Sequence, residues 1–540
     1  MYMKKILALA LALVMLMGMA AFATAEDKPV ITIAVSDATN VEDFNTNLQT
    51  LMLEEACGVD IQFEVYPATD YNTKINMMIM TGGAELPDVL FVGPSDAELL
   101  NWTGSGLLIP LTEYYADKEL SKNIWDTVER TGVDWTKMMI LADGNIYAIP
   151  TLNQSYNSEY QGKSFYNTKW LEALNATAPT TPEELYELLK LVKATDLNGN
   201  GKADEIGMAG NMRGHDGWFR YIMNAYIFAG HSDYLYVGEN DEVFVAYNTE
   251  AWKEGLKFAR KLFAEGLIPS EIITQDDNQF LAMLNSEDCT TMSFFYTSPS
   301  RVNAALSWRN DFEAYAPLIN KEAGIPYGSY RPSVPSNGAF FITANCKNPE
   351  AAFSIGDMMV SKEHSIITRW GQEGVDWDYV ENVPDADKYV AWVDGFDKLI
   401  TVYDDAKFWS SGEIQNRSFI QRGPWIREYG IANGRTKDPA TSSIFDQHTN
   451  AADILYQENN YKPEKTVGKL IYTAEEMEIL ADIKVTITDY RNEMTANFLA
   501  GNIDIDEGWD AYVKELESMG LAQYLEIIND VYTRMYVTAE

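Results

Sequence analysis

The run Asp196-Leu197-Asn198-Gly199-Asn200-Gly201-Lys202-Ala203-Asp204-Glu205 holds oxygen-bearing side chains at loop positions one, three, five and nine, with a glycine at six. Alternate side chains in such a loop point at one centre, the glycine permits the sharp turn, and the carbonyl of the seventh residue, here Lys202, adds an oxygen. That is the ligand pattern of a calcium loop. The standard loop ends on a glutamate at position twelve, where this chain has Gly207, so Glu205 at position ten is expected to close a shortened loop as the bidentate ligand. The donors Asp196, Asn198, Asn200, Lys202, Asp204 and Glu205 are all hard oxygens, so the expected ion is Ca2+ in a structural role. The competing reading is an Asn- and Gly-rich turn without metal.

Signatures of catalysis are absent. The chain has no H-E-x-x-H, no G-x-S-x-G and no G-x-x-x-x-G-K-[ST], and its four histidines, His215, His231, His364 and His448, are scattered. Cys57, Cys289 and Cys346 are too few and too far apart for a disulfide framework or a Cys-based metal site. Eighty acidic residues supply carboxylate pairs by chance, so a glycoside-cleaving pair cannot be picked out, and an exported carbohydrate-active enzyme stays open as an alternative. A formal charge of -39 repels phosphate backbones and anionic lipid, which argues against nucleic-acid partners.

The elements that must position the loop are legible in part. Residues 1–25 carry Lys4 and Lys5, an apolar run and a small-residue Ala23-Thr24-Ala25 end, the pattern of a cleaved export signal. None of the cysteines follows that apolar core, so no lipid anchor is expected. The β-branched run at 30–35 and the alternating run at 60–65 read as strands, with an amphipathic helix through Leu48, Leu51 and Leu53 between them: a βαβ unit of an open parallel sheet. Residues 71–80 and 87–92 repeat helix and strand. Thr181-Pro182-Glu183-Glu184 opens a helix with a capping box, and Thr473 with Glu476 opens a longer one striped by Ile479, Ile483, Ile487, Tyr490, Met494 and Phe498. A chain of 540 residues suggests at least two compact units.

Several segments in order, KINMMIMTGGAELPDVL (74–90), DGNIYAIP (143–150), 170–207 with the calcium loop, GQEGVDW (371–377) and 497–524, resemble the family 1 extracellular solute-binding proteins of ATP-driven importers. The likeness is greatest to the large calcium-containing subgroup that includes binders of alginate and other oligosaccharides. The resemblance implies an α/β, two-lobed periplasmic-binding-protein-like fold (type II), each lobe a mostly parallel sheet flanked by helices, with a ligand cleft between. By that topology residues 26–150 and 340–375 form lobe 1, and 151–339 and 376–540 lobe 2. It implies a monomer that takes a carbohydrate ligand and meets the permease subunits of an ABC importer. A ligand sensor built on the same fold is a further alternative.

A sugar presents apolar C–H faces and a rim of hydroxyls, so its site needs aromatic platforms and planar polar groups. The expected positions are loops at strand ends and crossings. They are Tyr156 and Asn157 after the first crossing, Trp218 beside His215 and Asp216, Tyr296 at a strand end, Arg331 before the return, and Trp425 between Arg422 and Arg427. Glu373 and Trp377 join them because the G-x-E-G-x-x-W segment lies at the cleft in the family resembled. A cleft-facing Arg331 or Arg422 would suit an acidic sugar.

Overall fold

The computed structural model describes residues 28–212, 217–403 and 413–538. The export signal, His215 and Asp216 lie outside the described residues. The strand Val30–Ser36 pairs in parallel with Asp60–Tyr66 on one side and with Val89–Leu90 on the other, as the βαβ reading requires. The helix Leu48–Cys57 crosses between the first two, its start capped by the Asn47 side chain. Phe340–Ile342 then enters antiparallel between Val89–Leu90 and Ala148–Ile149, closing a five-stranded sheet. Ile31, Ile33, Val89, Phe340 and Phe341, all fully buried, form the centre of this lobe's core. Phe419 and Ile426, far along the chain, pack into the same core.

The second lobe is built on Tyr160–Asn167, which pairs with Ser293–Tyr296, Phe312–Tyr315 and Ser329–Tyr330. All three pairings are antiparallel, where the family resemblance implies a mostly parallel sheet. The strand that carries the chain into the lobe runs against those that lead it back toward the crossings. The helix Pro182–Lys193 and the 27-residue helix Ala474–Ala500 flank this lobe. Thr473 and Glu476 form the expected capping box, and Gly501, at φ 74°, takes the left-handed conformation that ends the helix. At the other helix Thr181 caps Glu184, but the Glu184 carboxylate accepts from the amide (2.8 Å) and hydroxyl (2.7 Å) of Thr180, one residue before the expected box partner. No helix among the described residues is long and apolar enough to cross a membrane.

A smaller unit gathers the helix Lys362–Trp370 with Trp377–Tyr379, Ile400–Val402 and Arg435–Lys437 around Ile366, Trp370, Trp377 and Ile400. His364 on that helix is 3% exposed, and burial pushes its imidazole down to about 4. A histidine held neutral in the fold contributes stability above its ordinary value of 6.5, and that contribution is lost as pH falls from there toward 4, because the unfolded chain takes up the proton first. At about 1.4 kcal/mol per pH unit, the His364→Gln variant should lose roughly 2–3 kcal/mol less than the parent between pH 7 and 4.5. Denaturant titrations at the two pH values measure this, and equal losses would remove His364 as the cause.

Candidate functional site

Three segments cross between the lobes and lie hydrogen-bonded side by side. Thr151–Asn153 runs parallel to Trp425–Arg427. Residues 331–336 close the other flank: the Ser336 amide donates to the Thr151 carbonyl (2.9 Å), the Thr151 amide to Ser336 Oγ (3.0 Å), and Ser333 Oγ to the Asn153 carbonyl (2.9 Å). Glu159, just beyond the first crossing, ties all three together. Its Oε1 accepts from Ser333 Oγ at 3.0 Å and from the Tyr429 hydroxyl, and its carbonyl accepts from the Arg331 amide at 2.9 Å. Burial pushes the Glu159 carboxyl up, against those hydrogen bonds.

Over these crossings opens a cavity of about 380 Å³, lined by Thr151, Asn153 and Ser158, by the whole Arg331–Ser336 crossing, by Trp425, and by His231, Ser232, Val467 and Gly468. Burial holds His231 at about 4, so it is neutral near pH 7, with Nδ1 accepting from the Asp233 amide (3.1 Å). Behind the cavity wall Arg427 donates through Nε (2.9 Å) and Nη2 (2.8 Å) to Asn153 Oδ1. Burial holds its guanidinium well below the usual arginine range. Three larger hollows, about 560 Å³ around Arg220 and Arg491, about 670 Å³ along Met138, Ile140 and Met535, and about 400 Å³ beside Arg260 and Asn497, touch none of the crossings.

Of the residues expected from the sequence, Arg331 and Trp425 line this cavity. Trp218 is fully buried, packed edge-on against Phe219 and Phe263, and Trp377 is fully buried with its indole N–H donating to the Gly371 carbonyl at 2.8 Å. Neither indole offers a ring face to a ligand: each fills a core, and both differ in this from the platforms expected. Tyr296 is held by Arg301, whose guanidinium sits 4.4 Å over its ring. Asn157 Oδ1 accepts from Lys163 Nζ (3.2 Å), and Tyr156 packs against Tyr429 and Phe396. Glu373 lies exposed on its loop, away from the cavity lining. Arg422 donates to the carbonyls of Ser36 and Asp37 at the end of the first strand. Asn153, Ser158, Glu159 and Ser333 were not singled out by sequence, since nothing local marks them.

The 196–205 loop sits at the surface. The Asp196 carboxylate accepts from the amides of Gly199 (2.8 Å) and Gly201 (2.9 Å), and Gly201, at φ 76°, makes the turn that a side chain would strain. Asn198 Oδ1 takes the Asn200 amide, and Asn200 Oδ1 takes that of Lys202. The side-chain amides of Asn198 (3.1 Å) and Asn200 (3.0 Å) both donate to Asp204, and these bonds, chiefly from Asn200, hold its carboxyl below the usual range. Glu205 Oε1 accepts from the Leu197 amide at 2.7 Å. Three oxygen-bearing side chains thus meet, with amide N–H dipoles and the charge of Lys202 acting on Asp204. Turning those two amides over presents oxygens instead, so the donor set fits a hard cation. No cluster of three or more His, Cys, Asp or Glu at metal-ligating range exists among the described residues, so a site here must draw on amide and carbonyl oxygens.

Crossings bound side by side beneath a cavity are what a two-lobed binding protein needs, and the chain belongs to the bacterial extracellular solute-binding proteins: the family pattern matches residues 38–365. It is 26% identical over 95% of its length, and 91% of the relative's, to the fructooligosaccharide ABC transporter substrate-binding protein FusA of Streptococcus pneumoniae serotype 4. The structure of FusA in complex with kestose superposes with a TM-score of 0.73 at 23% identity, covering 95% of this chain and all of that one. An HMO-binding solute-binding protein from Bifidobacterium longum infantis gives 0.77 at 20% identity, covering 95% and 99%. The alginate-binding protein AlgQ2, in a structure without calcium ion, gives 0.64 at 19%, covering 94% and 99%.

Proposed function

We propose that the protein captures an oligosaccharide between its two lobes outside the cytoplasmic membrane and delivers it, chemically unchanged, to the permease subunits of an ABC importer. The observation that carries this reading is the cavity over the three crossings. A ligand seated there touches the segments that must bend for the lobes to close, so binding and closure are coupled. The Trp425 ring suits the C–H face of a sugar, and Asn153, Ser158, Ser333 and Arg331 suit its hydroxyl rim. The names of the relatives, binders of fructooligosaccharide, HMO and alginate, support the carbohydrate class.

The lobes are 26–150 with 340–375 and 151–339 with 376–540; the two main cores follow this division except at Leu152, Phe419 and Ile426, which pack into the first lobe's core. The protein acts as a monomer. The 196–205 loop holds a structural Ca2+ through the side chains of Asp196, Asn198, Asn200, Asp204 and Glu205 and the Lys202 carbonyl; the description of a second FusA structure as an EF-hand mutant supports this.

Thermal melts against a panel of neutral and acidic oligosaccharides test the reading. A true ligand raises the melting temperature by an amount that grows with its concentration. The ligand recovered afterwards should be intact by chromatography. No shift with any oligosaccharide, or recovery of shortened products, overturns it.

A further inference from the structure

The cavity over the crossings has a charge pattern at odds with the rest of the chain. Asp and Glu make up 80 of 540 residues, so about two would be expected among its fourteen lining residues, yet none is there. Arg331 lines it, and its guanidinium makes no hydrogen bond or ion pair among the described residues. Behind Asn153, Arg427 is 7% exposed and donates to the neutral Asn153 oxygen alone. The charges that act on it most, Arg369 and Arg435, are themselves positive. A buried guanidinium without a carboxylate is costly, and an anion nearby relieves that cost. The neighbouring carboxyl, Glu159, is turned away to Ser333 and Tyr429. Neutral His231 adds a ring N–H donor, because its Nδ1 already accepts.

We propose that this cavity selects oligosaccharides carrying a carboxylate on the sugar that reaches Arg331, the uronic-acid class, over neutral chains of the same length. The inference rests on the oligosaccharide-capture reading. A guanidinium fork matches a carboxylate with two parallel hydrogen bonds, which a hydroxymethyl group cannot supply. The acidic body of the protein does not cancel this. Its field is screened beyond about 8 Å at physiological ionic strength, whereas the Arg331 contact is direct.

Calorimetric titration of the mature protein in 150 mM salt decides it, using gluco-, galacto- and manno-oligosaccharides beside the same chains with the terminal C6 oxidised to a carboxylate. At least one acidic member should bind about tenfold or more tighter than its neutral partner, the scale of one charge-assisted pair. Arg331→Gln should bring that ratio to within about twofold, and Arg331→Lys, which keeps charge without the fork, should leave it intermediate. Melting curves establish that both variants are folded. Neutral chains binding as well as their acidic partners overturn the acidic preference and leave carbohydrate capture standing. A preference that survives Arg331→Gln removes it from this cavity, and binding of neither class overturns both readings.

Discussion

Chelating calcium is expected to lower the melting temperature of the second lobe by about 5–10 °C. An ion present at a hundred times its dissociation constant stabilises the fold by about 2.7 kcal/mol, and a body of this size shifts by roughly 2–4 °C per kcal/mol. The loop is placed to transmit that energy. It follows the helix Pro182–Lys193, and immediately after it the Ile206 amide donates to the Thr290 carbonyl (2.6 Å) while Ser293 Oγ donates to the Gly207 carbonyl (2.8 Å). Ordering the loop therefore fixes the helix against the strand Ser293–Tyr296. Without an ion, the Asp196 carboxylate meets backbone amides, and that of Asp204 meets two side-chain amides and the charge of Lys202. Calcium added back should restore the parent's melting temperature. Magnesium should not, because it demands a tighter octahedral shell than these long oxygen side chains give. Asp204→Ala should melt at the chelated temperature whether or not calcium is present. If neither chelation nor added calcium moves the transition, the loop is an Asn- and Gly-rich turn and nothing more.

Local chemistry is what made this loop readable before any fold was known: ligand spacing in ten consecutive residues does not depend on distant contacts. The same holds for the strands Val30–Ser36 and Asp60–Tyr66 and for the Thr473 cap, each written in a short window. Of the residues lining the cavity over the crossings, only Arg331 and Trp425 were legible. The polar groups that hold the crossings around it meet across long separations: Asn153 and Arg427 are 274 residues apart, and Glu159 and Tyr429 are 270. No window of sequence contains both partners. Strand direction in the second lobe was implied only by the family resemblance, since alternation reports which face is apolar and is silent on whether a neighbour runs with or against it. For the aromatics the ambiguity is physical. An indole that fills a core and one with a face free for a sugar are both large and flat, and burial alone separates Trp377, fully buried, from Trp425, which keeps part of its surface open beside the cavity.

That separation sets up the second large effect. Trp377→Ala is expected to cost about 3–5 kcal/mol of stability, the range for emptying a buried indole site. Its ring packs within the core of Ile366, Trp370 and Ile400 and meets Tyr379 edge-on at 5.3 Å, and its N–H satisfies the Gly371 carbonyl, so truncation leaves both a void and a lost bond. Affinity of the fraction that stays folded should be unchanged, because no face of the ring reaches the cavity. Trp425→Ala should do the reverse. Its ring lines the cavity, with the Arg427 guanidinium 5.5 Å from its centre, so truncation should weaken oligosaccharide binding by about 1–3 kcal/mol while the melting temperature of the free protein moves little. Melting curves and calorimetric titrations on the two variants, measured side by side, expose the contrast. A Trp377→Ala protein that melts like the parent would return that ring to the surface, and a Trp425→Ala protein of parental affinity would move the sugar elsewhere. The contrast follows from position alone: one ring spends its surface on its own chain, and the other keeps a face for what arrives between the lobes.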